Sequence, residues 1–271
     1  MDVTEQDLRR AVRALDLSGR AVCVHSSLRS FGRVEGGASG VVRAFLEEGC
    51  TMLAPTFSSA FAVEPPPRLR FERNGWDYVR GSGPCPGAGR IYAPETAEID
   101  RDMGAIPAAL LARPGRVRGR HPLDSFTAAG PLAEELILTQ SPSEPYAPLA
   151  ALGRAGGFVL LMGVGLERMT LLHLAEKEAG RALFRRWAND ARGEPEVVEV
   201  GGCSEGFGKL EPHLRAVTRQ TTVGQSAWRL LPAGDALSLA AAAVRAEPRI
   251  THCGRAECER CDDAVAGGPI L

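Results

Sequence analysis

An α/β fold built on a parallel sheet is what the pattern of apolar runs in this chain predicts, and three observations predict it. Residues 21–24 form a short apolar run, a helical pattern follows over 38–48, and Thr51-Met52-Leu53-Ala54-Pro55 is a second apolar run. Strand, helix and strand at that spacing make a βαβ unit, whose crossover sets the two strands parallel. A third apolar run, 157–161, is closed by Gly163 and Gly165 and leads into a helical pattern opened by Thr170, which repeats the strand-to-helix step. The alternation never breaks cleanly, so 1–271 reads as one domain, long enough to bury a sizeable core.

Taken in order, the first element is a helix over 4–15, with Thr4 as N-cap and Leu8, Val12 and Leu15 as its apolar stripe. In the helix over 38–48, Val41, Val42, Phe45 and Leu46 face inward. Regularity fails over 62–96, where prolines and glycines surround Phe71, Trp76, Asp77 and Tyr78. A long loop carrying aromatics and an acid is expected to be a substrate-side loop or lid. A helix to about residue 112 follows, with Pro107 in its first turn. Residues 113–120 form a basic loop with four arginines, a solvated run or a clamp for a polyphosphate. A short helix over 131–138 and a loop and turn over 146–152 precede the third strand. Beyond the helix opened by Thr170, residues 179–189 are expected to continue or restart a helix, and 196–200 to form a strand. A helix over 210–218, a turn and strand over 221–231, and an alanine-rich helix over 235–246 capped by Asp235 complete the reading.

Composition excludes several classes. With 44% hydrophobic and 24% charged residues the chain is globular, and a formal net charge of -1 speaks against a general nucleic-acid or membrane-surface binder. No run approaches the roughly 20 apolar residues of a membrane span, and the charged, amphipathic N-terminus lacks a signal-peptide core. A cytoplasmic protein is expected, a monomer or homodimer. Of seven cysteines, Cys23, Cys50, Cys85 and Cys203 are scattered while Cys253, Cys258 and Cys261 cluster in a Cys-rich tail over 250–271. In a reducing compartment such a cluster suits tetrahedral zinc better than disulfides. His252 and Cys253 are adjacent and poorly placed to share one ion, so Cys203 is the alternative fourth ligand of a structural Zn²⁺. The plainer reading is a set of reduced, packed thiols.

Two stretches carry candidate chemistry. His173 lies one turn into its helix with Glu176 three residues on. Residues three apart share a helix face, so an imidazole and a carboxylate can meet just past a strand end, where open α/β sheets place their ligands. The crossover loop His25-Ser26-Ser27-Leu28-Arg29-Ser30-Phe31-Gly32 offers hydroxyls, backbone N–H groups and a cation, a set that can cradle a phosphate. It is neither a P-loop nor a dinucleotide fingerprint. A surface His beside an ordinary Glu, and a capping turn with extra serines, are the plainer readings.

That loop, followed by Val34-Glu35-Gly36-Gly37, resembles the N-terminal signature of the aminoglycoside 3-N-acetyltransferases. Ala54-Pro55-Thr56-Phe57-Ser58, Met103-Gly104, His121-Pro122-Leu123-Asp124-Ser125-Phe126, Leu160-Leu161-Met162-Gly163-Val164-Gly165 and Met169-Thr170-Leu171-Leu172-His173-Leu174-Ala175-Glu176 fall in the same order as in that family. The resemblance implies a three-layer α/β/α sandwich around a mainly parallel, or mixed, sheet, unlike the GNAT acetyltransferases. It implies acetyl transfer from acetyl-CoA to an amine, the 3-N amine of an aminoglycoside. His173 would be the general base, Glu176 its carboxylate partner, and Thr170 would sit near the thioester. The residues from His25 to Gly32, with His121, Ser125 and Phe126, would hold CoA. Asp77, Tyr78, Asp124 and Glu205 are the candidates for binding the cationic acceptor. Where the family commonly carries Arg before Met-Gly, Arg101 is offset here by Asp102. An acyl-CoA-dependent transferase acting on another amine is therefore the main rival. A serine hydrolase lacks its G-x-S-x-G elbow, and a zinc-stabilised interaction protein would leave His173 without a role.

Overall fold

The computed structural model describes residues 2–78 and 89–270. Helix α1 (Glu5–Ala14) opens on Thr4, whose hydroxyl accepts from the Asp7 N–H at 3.2 Å while the Asp7 carboxylate accepts from the Thr4 N–H at 3.0 Å. Two of the helix's orphan donors are thereby satisfied. Strand β1 (Ala21–Ser26), helix α2 (Gly37–Glu47) and strand β2 (Thr51–Pro55) form the predicted βαβ unit, with Ala21 paired to Thr51. Then come α3 (Ala105–Leu111), β3 (Val117–Arg118), β4 (Phe126–Ala129), α4 (Ala133–Ile137), α5 (Ala147–Arg154) and β5 (Phe158–Met162). The chain continues through α6 (Leu171–Glu178), β6 (Phe184–Asn189), β7 (Pro195–Val200), α7 (Glu211–Leu214), β8 (Arg219–Val223), β9 (Ser226–Pro232), α8 (Ala233–Ala246) and α9 (Glu259–Val265).

The main sheet has seven strands in the order β3-β4-β2-β1-β5-β9-β8. Its centre is parallel, β1 running with both β2 and β5, and its flanks are antiparallel. Successive strand residues feed opposite faces, as the pleat requires. Cys23, Leu53, Val159 and Leu161 join α4, α5, α6 and α8 in one core. Val22, Val24, Met52, Ala54, Leu160 and Met162 join α1, α2 and α3 in another. These two cores make the three layers. A third, small cluster sits under the separate β6–β7 hairpin, where Phe184, Ala188, Val198 and Val200 meet Phe61 and Leu123. No helix among the described residues is long and apolar enough to cross a membrane.

Several expected elements differ. Residues 147–154 are helical rather than a loop, since Pro148 lies in the first turn, where no N–H is needed. The helix expected over 179–189 ends at Gly180 (φ +102), and Phe184–Asn189 pairs along its whole length with β7. Partner pairing decides that stretch, because strand preference depends on neighbours more than helix preference does. The single strand expected over 221–231 is a hairpin, turning at Gly224-Gln225 with Gly224 at φ +60, the positive φ that a two-residue turn demands. Asp235 lies inside the first turn of α8 and is not its cap; there it complements the helix dipole. The helix expected over 210–218 is a short α turn flanked by 3₁₀ turns. The tail contains α9. Part of the proposed lid, residues 79–88, lies outside the described residues, as does Cys85.

The basic loop is a structural tie. Arg118 on β3 is buried, donating from Nε to Ser125 Oγ at 3.0 Å, from Nη1 to Thr96 O at 2.9 Å, and from Nη2 to Thr56 O and Glu98 O at 2.6 and 2.8 Å. Its guanidinium lies 5.4 Å from the centre of the Tyr92 ring. Arg116 similarly serves the carbonyls of Leu111, Pro94 and Glu95. Both guanidinia are spent on backbone oxygens that close the irregular segment onto the sheet, and neither lines the cavity described next.

Candidate active site

The carboxyl ends of β1, β2 and β5 open into one cavity of about 1260 Å³, at the position where a parallel sheet leaves a crevice for ligands. The loop after β1 enters it with Ser26, Ser27, Leu28 and Arg29, and the turn after β5 with Glu167 to Thr170. Arg186 on β6 and the Gly201-Gly202 turn after β7 close the other side. Gly163, at φ +67, lets the chain leave β5 beneath Ser30; a Cβ there would stand 2.0 Å from Ser30 Oγ.

His173 lies in the cavity wall, 8% exposed. Its Nδ1 is 3.2 Å from Glu176 Oε2. The imidazole is stacked on Tyr146, ring centres 6.0 Å apart at 17°, and meets Phe207 edge-on, ring centres 4.8 Å apart. The fourth side is Gly201, where a Cβ would come within 2.7 Å of the ring and 2.6 Å of the Tyr146 hydroxyl oxygen. Glu176 is behind the cavity wall. Its Oε1 accepts from Thr251 Oγ1 at 2.8 Å and from Arg181 Nη1. One carboxylate oxygen is thus left for the imidazole and the other is fixed by two donors from outside the helix. Thr170 opens α6 and lines the cavity.

A second acid stands close by. Tyr146 donates its hydroxyl to Asp124 Oδ2 at 3.0 Å. Burial pushes the Asp124 carboxyl up from 3.8 to about 6, against the pull of that hydrogen bond and of the His173 charge. A folded value above the unfolded one means stability is greatest below pH 3.8 and is lost as pH rises through about 6. Asp124→Asn keeps the acceptor oxygen and removes that loss. It is expected to stabilise the fold at pH 8 by at most about 3 kcal/mol relative to its effect at pH 3, at 1.36 kcal/mol per unit, and by less where cavity water solvates the carboxylate. Urea titrations of both proteins at the two pH values check this.

The expected cofactor loop divides. His25 to Arg29 line the cavity, and the Ser26 hydroxyl is buried there without a hydrogen-bond partner among the described residues. Burial pushes His25 down to about 3, so it is neutral at ordinary pH. Ser30 bonds instead to Ser27 O and Ser226 Oγ, both at 2.7 Å, Phe31 is core, and Gly32 ends the turn at φ +80. His121, Ser125 and Phe126 also lie outside the lining. His121 Nδ1 accepts from the N–H groups of Leu123 and Asp124 while Nε2 meets Glu199 O at 2.8 Å. Ser125 bonds to Arg118 and Thr56 O, and Phe126 is buried in β4. The motif over 121–126 acts as a buried corner that presents Leu123 and Asp124.

Of the expected acceptor residues, only Asp124 lines the cavity. The Asp77 N–H donates to Glu259, the Tyr78 hydroxyl accepts from Asn74 at 2.9 Å, and Glu205 pairs with Arg255. Residues missed by sequence reasoning include Tyr146, Arg181, Gly201 and Thr251, and the lining arginines Arg101, Arg168, Arg186 and Arg260. Arg186 and Arg260 carry no local signal. Arg181 carries only its position just past the helix end. The thiols of Cys203, Cys253, Cys258 and Cys261 converge to within 4.8 Å of one another, outside the cavity lining but beside Gly202, Ser204 and Arg260, which line it. His252 is turned aside, its Nε2 3.2 Å from Asp262 Oδ1.

Comparison with known proteins gives a consistent picture. A family profile described as aminoglycoside 3-N-acetyltransferase matches residues 23–245. Aminoglycoside N(3)-acetyltransferase VIII of Streptomyces fradiae is 37% identical over 186 residues, which is 65% of this chain and 62% of that protein. The chain spans about three fifths of the length of this and the next curated relatives it matches. The YokD protein of Bacillus subtilis, described as aminoglycoside N(3')-acetyltransferase-like, is 35% identical over 222 residues, 77% of this chain and 75% of that one. Crystal structures of aminoglycoside acetyltransferase AAC(3)-IVa, as apoenzyme and as a mutant in complex with a gentamicin, superpose with TM-score 0.78 over 98% of both chains at 26% identity.

Proposed function

The chain belongs to the aminoglycoside 3-N-acetyltransferase family, and from that premise we propose that it transfers an acetyl group from acetyl-CoA to the 3-N amine of an aminoglycoside, directly, with His173 as general base. The observation that carries this reading is the His173–Glu176 pair, buried and anchored from behind, with its imidazole in the wall of the cavity that also receives the Ser26–Arg29 loop.

At neutral pH the acceptor arrives mainly as ammonium and gives one proton to solvent, by way of the imidazole, before it can attack. With Nδ1–H donated to Glu176, Nε2 is the ring nitrogen that receives protons from the amine. The nitrogen lone pair then forms the N–C bond at the thioester carbonyl, and Nε2 takes the second proton. The carbonyl oxygen becomes an oxyanion, for which the Thr170 hydroxyl is the nearby donor. The C–S bond breaks and the CoA thiolate takes the proton from the imidazolium, so the imidazole is regenerated. Glu176 fixes the tautomer and stabilises the imidazolium. The unpartnered Ser26 hydroxyl and Arg29 suit the cofactor's phosphate and amide oxygens, and Asp124 suits an ammonium of the acceptor.

Gly201 is what lets the backbone pass against the imidazole. Gly201→Ala is expected to displace the ring and lower kcat by about 10²-fold, the scale of a 1 Å misplacement, with the KM for acetyl-CoA little changed. Steady-state kinetics with each substrate varied would show this split.

A different acceptor is favoured by one observation: five arginines and four carboxylates among the described residues line the cavity (Arg29, Arg101, Arg168, Arg186, Arg260; Asp100, Asp102, Asp124, Glu167). That balance suits CoA phosphates better than a polycation and leaves room for an amine on a less charged molecule, such as a natural-product precursor. Release of free CoA thiol, measured against a panel of aminoglycosides and simpler amines with the product's acetylation site read by mass spectrometry, separates the two readings. Turnover confined to uncharged or monoamine acceptors would reject the antibiotic substrate, and failure to release thiol with any amine would reject acetyl transfer.

A further inference from the structure

We propose that Cys203, Cys253, Cys258 and Cys261 bind one zinc ion as four thiolates, and that this ion pins together the two chain segments that support the imidazole and its carboxylate. The four sulfurs come from separate parts of the chain, Cys203 from the turn after β7, Cys253 and Cys258 from the segment leading into α9 and Cys261 from α9 itself, yet all lie within 4.8 Å of one another. Tetrahedral zinc with Zn–S bonds of about 2.3 Å holds its sulfurs roughly 3.8 Å apart, so the arrangement needs only a small contraction around the ion. Cys258 and Cys261 stand in a C-x₂-C turn, with the Cys261 N–H on Cys258 O at 2.9 Å. The Cys253 N–H donates to Cys261 Sγ at 3.3 Å, the kind of outer hydrogen bond that settles a metal-bound thiolate. His252 is directed to Asp262 and is not a ligand.

Four thiolates complete the coordination of zinc and leave no open position, so the ion is structural. Its placement gives it a specific duty. Two residues before Cys203 is Gly201, which lies against the His173 ring, and two before Cys253 is Thr251, which holds Glu176 Oε1. Arg260, between Cys258 and Cys261, lines the cavity. The two segments also touch directly. Lys209 Nζ donates to His252 O at 2.7 Å, and a Cβ on Gly206 would lie 2.1 Å from Thr251 O. Cys261 is the buried residue of its helix, and a metal there supplies the cross-link that a core supplies elsewhere.

The test uses the full chain purified without chelator from zinc-supplemented medium. Expected are one zinc per chain by elemental analysis and native mass spectrometry, and, after exchange with cobalt, the visible bands and sulfur-to-cobalt charge transfer of a tetrahedral thiolate site. Cys258→Ser is expected to lose most of the zinc and to lower the midpoint of thermal unfolding. Metal-free wild-type protein that stays folded overturns the proposal, as do a mass showing two disulfides in place of the ion or a Cys258→Ser protein with undiminished zinc. If Cys258→Ser does not fold, the wild-type native mass decides alone. None of these readouts depends on acetyl transfer, so the metal site and the catalytic reading stand or fall separately.

Discussion

His173→Ala is expected to fold as the parent does and to lose kcat by about 10²–10⁴-fold, the range that a positioned general base contributes. The fold should survive because the imidazole borders the cavity, so its removal opens space that water can fill, and because Glu176 keeps Thr251 and Arg181 as donors. The KM for acetyl-CoA should change little, since in the proposed mechanism the imidazole handles the amine proton and does not hold the cofactor. Glu176→Gln should cost less, because an amide oxygen still orients Nδ1–H but no longer stabilises the imidazolium. Raising pH should recover part of the His173→Ala rate as more amine loses its proton in solution. Thiol-release kinetics with circular dichroism on the same samples would check both variants. Near-parental turnover in His173→Ala would remove the histidine from the mechanism, and an acetyl group found by mass on a serine or cysteine would replace direct transfer with a covalent route.

Arg118→Met is expected to be the most damaging substitution away from the cavity, lowering unfolding free energy by roughly 3–5 kcal/mol, because several hydrogen bonds from a charged donor, at about 1.5–3 kcal/mol each, go together. Four acceptors, the oxygens of Thr56, Thr96 and Glu98 and the hydroxyl of Ser125, lose the guanidinium at once, with Thr56 O left to the Ser125 hydroxyl and Thr96 O to Arg116. A buried acceptor left without a partner carries its full desolvation penalty. Arg118→Lys should rescue little, because a single ammonium cannot span the planar fork that reaches three directions. Since such a loss is a large share of the roughly 5–15 kcal/mol that holds a typical domain, low soluble yield is the first sign to expect, and urea unfolding gives the number. An Arg118→Met protein as stable as the parent would show that the irregular segment is held by other contacts.

Local pattern made the sheet's centre readable and long-range pairing hid its flanks. Strands β1, β2 and β5 are continuous apolar runs because both of their faces are covered, and such runs stand out. β3 and β4 are two and four residues long, too short for any period to show, and they are masked by the arginines and the histidine motif around them. β6, with Arg185 and Arg186 adjacent, shows no alternation of polar and apolar residues and becomes a strand only beside β7. The same division runs through the candidate site. His173 and Glu176 are legible because an i, i+3 pair is a local fact. Tyr146 and Gly201 reach His173 from 27 and 28 positions away along the chain, and Thr251 reaches Glu176 from 75, and nothing in their own neighbourhoods marks them. The motif over 121–126 shows the opposite error: its residues are distinctive in sequence, yet most serve the buried corner, and Asp124 reaches the cavity because the others hold the turn.

The anchoring of Glu176 by Thr251 also sets an order of events in synthesis. The last strand of the seven-stranded sheet ends at Pro232 and its covering helix at Ala246. Both leave the ribosome before Thr251 and the three cysteines that follow it. A nascent chain can therefore close most of its two large cores while the carboxylate behind His173 is still unsecured. The His173–Glu176 pair is finished only after the segment carrying Thr251 has emerged.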